Sequence, residues 1–235
     1  MWQQLLDTLR DAVRRYPDVA LASSLAAEDM VLTHAIAQAG LPIHIFTLDT
    51  GRLHDETLAL VPRIKARYGL DVALIRPDAQ RVQQHVDEHG THAFYESIEL
   101  RKACCDIRKV QPLRRALAGR SAWVTGQRRA QAVSREELAA EEHDSVFGLY
   151  KFNPLANWSE EDVWRTIRAF DIPYNPLHDQ GYPSIGCEPC TRAVRAGEDA
   201  RAGRWWWENA DSKECGLHAG NLAGSPLRFV PAAHG

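Results

Sequence analysis

Five cysteines divide by spacing into the adjacent pair Cys104-Cys105, the Cys187-Glu188-Pro189-Cys190 pair, and a single Cys215. Four thiolates complete the ligand set of a metal or cluster site, and one is left for chemistry of its own. The two-residue gap lets the sulfurs of Cys187 and Cys190 face one centre. Neighbouring side chains diverge, so Cys104 and Cys105 suit separate iron corners of a cubane better than one small ion. A 4Fe–4S cluster on Cys104, Cys105, Cys187 and Cys190 is the favoured reading. A structural zinc ion on the same four thiolates and two unrelated buried pairs stay open as alternatives. Arg101, Lys102, Arg108 and Lys109 flank the first pair. They would stabilise a negatively charged cluster, or they form an ordinary solvated basic helix face.

The remaining thiol lies in Glu214-Cys215-Gly216-Leu217-His218, beside a glycine and close to a histidine. A thiol of pKa about 8.5 is only a few per cent thiolate at neutral pH. A cationic site binding an anionic substrate, or His218, would have to outweigh Glu214 to make it a nucleophile. Cys215 is the candidate nucleophile, in a tail expected to close over a cleft, with His218 as its catalytic neighbour.

Further polar segments could hold an anion or a nucleotide. Ser23-Ser24-Leu25-Ala26-Ala27-Glu28-Asp29 offers hydroxyls, backbone N–H groups and a following helix end, without the glycine and lysine of a Walker loop. Leu48-Asp49-Thr50-Gly51-Arg52 could set backbone groups against a base or ribose, or serve only as a strand-to-helix turn. Arginines recur at Arg128, Arg129, Arg135, Arg192, Arg195, Arg201 and Arg204. The planar guanidinium fork matches phosphate and sulfate oxygens, although surface arginines are common. Trp205-Trp206-Trp207 beside Arg204 are read as packing the tail onto the body.

The elements that must carry these segments follow from the apolar pattern. Val19–Ala22 and Pro42–Leu48 read as buried strands, and Asp71–Ile75 and Ala122–Thr125 as a third and a fourth strand. Helical spacing over 30–39, a helix ending at Tyr68 before Gly69, and a helix over 158–170 capped by Ser159 lie between or after them. Strands alternating with helices predict an α/β fold with a parallel sheet flanked by helices. In such a sheet, ligands bind beyond the carboxyl ends of the strands. Ser23–Asp29, Asp49–Arg52 and Gly126–Arg129 all fall there. After about residue 173 periodicity fades. The chain therefore divides into a 1–172 nucleotide-binding core holding Cys104-Cys105, and a loop-rich 173–235 extension carrying the CxxC pair and the tail of Cys215.

Composition narrows the functional classes. The 235 residues are 45% hydrophobic and 25% charged, enough for a core, and the net charge of −3 argues against a nucleic-acid binder. The amino terminus is amphipathic rather than a signal peptide, and no stretch reaches the roughly 20 apolar residues of a membrane span. A cytoplasmic protein is expected. In that reducing compartment paired cysteines are ligands or redox groups.

Taken together, Cys104-Cys105 with Arg108-Lys109, Gly186-Cys187-Glu188-Pro189-Cys190-Thr191-Arg192, Tyr174-Asn175-Pro176-Leu177-His178, Leu48–Arg52 and Glu214–His218 resemble one family. It is the assimilatory adenylyl-sulfate reductases, the iron–sulfur branch of the phosphoadenylyl-sulfate reductase family. The resemblance spans about Ser23 to His218. It implies an adenine-nucleotide α-hydrolase-like core, a 4Fe–4S cluster on the four cysteines, and reduction of adenylyl sulfate to sulfite and AMP with thioredoxin as donor. By position, Cys215 would be the nucleophile. Ser23, Ser24, Leu48, Thr50, Gly51, Gly126, Arg128 and Arg135 would lie on nucleotide-binding segments. Lys109, Arg201 and Arg204 would neutralise the phosphosulfate and cluster region. The chain departs from many relatives in carrying Ala26-Ala27 where they carry a glycine. Phosphoadenylyl sulfate as substrate, a cluster-containing tRNA-thiolating activity, and a four-cysteine zinc interaction module are the competing readings. Oligomerisation is left open.

Overall fold

The computed structural model describes residues 1–131 and 137–208. Arg135, Cys215 and His218 therefore lie outside the described residues. The chain opens with α1 (Trp2–Arg15), whose Leu5, Leu6, Leu9 and Ala12 form a buried stripe at helical spacing. Strand β1 (Val19–Ala22) leads into α2 (Ala27–Ala39), and β2 (Ile43–Leu48) into α3 (Asp55–Leu58) and α4 (Leu60–Tyr68). The single helix expected before Gly69 is thus two pieces. Pro62 has no N–H to give the Leu58 carbonyl and its ring crowds that carbonyl, so the first piece stops there. Strand β3 (Val72–Ile75) and α5 (Ala79–His89) follow. Then α6 (Ile98–Cys105) runs through a π-helical turn over Asp106–Val110 into α7 (Gln111–Leu117) and β4 (Ala122–Val124).

The remaining elements are β5 (Glu141–Asp144), β6 (Leu149–Phe152) and α8 (Glu160–Ala169). The sheet order among the described residues is β3-β2-β1-β4-β6-β5. All neighbours are parallel except the β5–β6 hairpin. The four strands expected from the sequence form the β3-β2-β1-β4 part of this sheet. The hairpin adds an edge whose Glu-Glu-His-Asp strand carries no apolar alternation. Its partner strand buries Lys151, whose Nζ donates to Glu142 at 2.8 Å.

Side-chain alternation along the strands builds a core on each face. Leu21, Ile45 and Val124 pack under α2, α4 and α8 with Met30, Ile64, Val163 and Ile167. Ala20, Phe46 and Trp123 face Leu113 and Leu117 of α7. From β1 the chain winds outward to β2 and β3, then returns to the opposite side of β1 as β4. The strand order reverses there, and a crevice opens at the carboxyl ends of β1 and β4.

One wall of that crevice is the start of α8, where a capping box holds the helix end. Ser159 N–H donates to Asp162 Oδ2 at 3.0 Å, and Asp162 N–H donates to Ser159 Oγ at 3.1 Å. Among the described residues no helix is long and apolar enough to cross a membrane. Replacing Ser159 with alanine should cost about 1 kcal/mol of unfolding free energy, read from the midpoint of urea denaturation.

Candidate active site

A cleft of about 470 Å³ occupies the crevice. Its floor is the turn after β1, where the backbone and side chain converge on one buried carboxylate. Asp29, 5% exposed, accepts from the Ser24 N–H at 2.6 Å and from the Ser24 hydroxyl at 2.6 Å. Ser23 Oγ accepts from Leu25 N–H at 3.1 Å, and Leu25 takes the left-handed conformation, φ 61°. The turn's left-handed position therefore falls on a fully buried leucine, one residue ahead of Ala26-Ala27. Across the crevice Gly126 packs directly on this carboxylate. A Cβ there would stand 2.3 Å from Asp29 Oδ1 and 3.0 Å from Glu28 Cβ, so only glycine fits.

Burial, helped by the neighbouring charge of Glu28, pushes the Asp29 carboxyl up to about 6, against the Ser24 hydrogen bonds that favour its ionised form. Arg128 is 6% exposed and already engaged. It donates to Glu28 Oε1 through Nε at 2.9 Å, forms an ion pair with the same oxygen at 2.8 Å, and reaches the Trp158 carbonyl at 3.4 Å. It lines the cleft as the brace between α2 and α8.

The turn after β2 ties this cleft to the cysteines. Asp49 accepts from Gly51 N–H at 3.1 Å and from Arg76 Nε at 2.9 Å. Arg108 Nη1 donates to the Thr50 carbonyl at 2.7 Å. The Thr50 hydroxyl lies 3.3 Å from Cys187 Sγ. Leu53 forms an antiparallel bridge with Cys187, and Glu188 N–H donates to the Arg52 carbonyl at 2.8 Å. Cys187 and Cys190 pack with Phe94 and Trp205 in one apolar cluster, with Cys104 against it. Cys105, at the end of α6, is 8% exposed. The π-helical turn that follows carries Arg108 and Lys109. Such turns recur at functional sites because they re-aim a helix face.

The cations around the thiols are placed rather than scattered. Burial is the largest influence on Cys190, and with the nearby Cys187 it pushes the thiol up to about 12, while Lys109 and Arg204 pull the other way. Cys104 is likewise raised, first by burial, with Arg108, Arg52 and Lys109 opposing. Arg204 threads past Gly186, where a Cβ would stand 2.3 Å from its guanidinium, and lies 4.8 Å over the Trp205 ring. Arg101 also sits 4.6 Å over the Trp205 ring and is bound by Glu208 at 2.8 Å. Both partners of that pair are buried, at 1% and 4% side-chain exposure. Arg101 is therefore not part of a solvated helix face. Of the three tryptophans, Trp205 is buried and Trp207 packs on Phe94 and Tyr95, while Trp206 is exposed.

Among the described residues no three His, Cys, Asp or Glu side chains are grouped as ligands of a single metal ion. An iron–sulfur cluster draws each thiolate to a separate iron and does not require such convergence. Four thiols, three of them packed together and ringed by Arg52, Arg108, Lys109 and Arg204, suit a cluster of net negative charge.

The structure brings most of the sequence-predicted residues to one place. Ser23, Ser24, Leu48 and Thr50 line the cleft from β1 and β2, and Gly126 and Arg128 from β4. Lys109, Arg201, Arg204 and Cys187 close its other end. Gly51 stands just behind, at φ 68°. Sequence reasoning did not single out Asp29 by itself, Gln127 or the π-helical turn. Their importance comes from burial and contact, for which the sequence carries no signal. His178, noticed only within a longer motif, lines the cleft, and burial holds its imidazole below the ordinary value.

A reversing parallel sheet with a polar crevice joined to a cysteine cluster defines a nucleotide-binding α/β protein with a cysteine site at one end of its pocket. Comparison with known proteins narrows this class. Residues 18–193 match the phosphoadenosine phosphosulfate reductase domain family, and the chain belongs to that family. It is 61% identical over 221 residues to a protein of Burkholderia cepacia named adenosine 5′-phosphosulfate reductase, covering 94% of this chain and 88% of that one. A protein of the same name from Allochromatium vinosum is 53% identical over 229 residues, covering 97% and 88%. Among solved structures, a phosphoadenylyl-sulfate reductase from Candida auris in complex with phosphate superposes with a TM-score of 0.69 at 27% identity, covering 81% of this chain and 90% of that one.

The raised Asp29 pKa has a consequence for stability. Between the ordinary carboxyl value and about 6, the folded chain holds a proton that the unfolded chain has released, so stability falls as pH rises through that window. Asp29→Asn, which cannot ionise, should gain on the wild type by on the order of 1–3 kcal/mol between about pH 4 and pH 7. Urea denaturation at a series of pH values checks this, and parallel curves for the two proteins would refute it.

Proposed function

We propose that this chain reduces adenosine 5′-phosphosulfate to sulfite and AMP in cytoplasmic sulfate assimilation and cysteine biosynthesis, with thioredoxin as electron donor. The observation that carries the reading is the joining of a switch-point cleft to the cysteine cluster through Thr50 and Cys187, with Lys109, Arg201 and Arg204 lining that end. The names of the relatives at 61% and 53% identity support the same substrate.

In this reading the nucleotide lies across the ends of β1, β2 and β4, over Ser23, Ser24, Leu48, Thr50, Gly51 and Gly126. Its phosphosulfate points toward Lys109, Arg201 and Arg204, which offset charge on the sulfate and on the departing phosphate. Arg135 would join the nucleotide-binding set. Cys104, Cys105, Cys187 and Cys190 would hold a 4Fe–4S cluster, which supplies fixed charge and rigidity at the anion end.

The Cys215 thiolate, assisted by His218, attacks the sulfate sulfur. The bond from sulfur to the phosphate-bridging oxygen breaks, AMP leaves, and an S-sulfocysteine remains. A thioredoxin thiolate attacks the Cys215 sulfur, releasing sulfite with the bonding pair and leaving a mixed disulfide. The second thioredoxin thiol resolves it, regenerating the Cys215 thiol and leaving oxidised thioredoxin. The two electrons thus arrive as a thiol pair and need no one-electron carrier.

A sulfite-release assay with thioredoxin should give kcat/KM for adenosine 5′-phosphosulfate more than about tenfold above that for the 3′-phosphorylated substrate. Cys215→Ser should abolish turnover. Without thioredoxin, mass spectrometry should find one sulfo group on Cys215 as AMP appears. An unmodified Cys215 after full AMP release would overturn the covalent route. Anaerobically purified protein should be brown with broad absorption near about 400 nm, and a colourless zinc protein would overturn the cluster assignment.

A further inference from the structure

Gln127 follows Gly126 at the carboxyl end of β4 and is 4% exposed. It lines the cleft, and among the described residues neither its amide oxygen nor its amide nitrogen has a hydrogen-bond partner. Its backbone N–H donates to Thr125 Oγ1 at 3.4 Å. A buried primary amide left unpaired is costly, and proteins keep such a group where a ligand completes it.

Position tells which part of a nucleotide would do so. The cleft has two dissimilar sides. Phe46, Leu48, Leu113 and Trp123, on the α7 face of the sheet, make an apolar wall suited to a purine ring. Gln127 lies on the side of α2 and α8. It is held between Gly126, which packs on Asp29, and Arg128, which spans Glu28 and the Trp158 carbonyl. There it shares the cleft with Ser159, Glu160 and His178. This polar side suits a sugar, whose two neighbouring hydroxyls each donate and accept as a primary amide can.

We propose that Gln127 recognises the ribose of the bound nucleotide, its amide oxygen accepting from one hydroxyl and its amide nitrogen donating to the other. The assignment rests on reading the cleft as the nucleotide site. It also makes Gln127 a determinant of specificity. The corner around it holds the carboxylates of Glu28, Asp29 and Glu160, and the Arg128 guanidinium is already bound to Glu28. A 3′-phosphate placed there would meet like charge and displace a hydroxyl from the amide, whereas an unmodified 3′-hydroxyl completes the amide's bonding.

Calorimetric binding of AMP, 2′-deoxyAMP, 3′-deoxyAMP and adenosine 3′,5′-bisphosphate to the wild type and to Gln127→Leu tests this. The wild type should bind AMP at least about tenfold more tightly than the other three ligands. Gln127→Leu should lose about that factor for AMP and a smaller factor for each deoxy analogue and for the bisphosphate, which keep at most one of the amide's two bonds. Equal losses across all four ligands would assign Gln127 to the base or to folding, and no loss for AMP would leave it outside the site. Either result overturns the proposal. So does a wild type that does not distinguish AMP from its deoxy analogues, a comparison that needs no variant to fold. A wild type that binds none of the four, AMP included, would instead sink the nucleotide reading of the cleft itself.

Discussion

The buried Asp29 carboxylate is the constraint on which the cleft depends. A parallel sheet that reverses its winding leaves two strand-end turns facing each other with unsatisfied backbone groups between them. Asp29 answers from the first turn of α2, taking the Ser24 N–H and hydroxyl while Gly126 closes on its other side. The arrangement carries a cost, since burial works against the carboxylate's charge. In return both turns are held at one distance, and the Arg128–Glu28 pair locks the same junction from above. A binding site that must orient a small anionic ligand gains from such fixed geometry, because less is spent on ordering it when the ligand arrives.

A second balance governs the other end of the cleft. Three of the four paired cysteines share an apolar pocket with Phe94 and Trp205, and burial there raises the thiols of Cys104 and Cys190. The opposing cations come from separate parts of the chain: Arg52 after β2, Arg108 and Lys109 on the π-helical turn, and Arg204 beyond the CxxC loop. These cations oppose the effect of burial on the thiols, and only the fold brings their separate elements together. Arg101 has a different task. Its buried pair with Glu208 and its stacking on Trp205 fasten the last described segment to α6. Removing either partner would strand a charge in the interior.

Much of this was legible in advance where local chemistry leaves a local mark. The strands β1 to β4 are short apolar runs ended by polar or glycine-containing turns, and the cap of α8 is written in Ser159 and Asp162. The β5–β6 edge was not legible, because a strand paired on one side through polar side chains has no apolar period to read. The split between α3 and α4 was visible only as Pro62. Arg101 and Arg108 look equivalent in the basic run beside Cys104, yet one is buried against Glu208 and the other holds the Thr50 carbonyl. Arg128, expected on a nucleotide-binding segment, lines the cleft with its guanidinium already paired to Glu28.

What the sequence alone determined is the inventory and its grouping: a parallel α/β core, three strand-end turns on one edge, four cysteines in two pairs, and a fifth apart from them. Residue type and spacing suffice for these, since hydrophobic period and ligand spacing are properties of neighbours along the chain. Only the tertiary structure decided which turns meet, which arginines are already spent on carboxylates, and that Thr50 reaches Cys187. It also decided that Gln127 keeps its amide buried in the cleft, unpaired among the described residues. Those are contacts between residues up to 137 positions apart. They arise from how the sheet winds and packs, which no local pattern encodes.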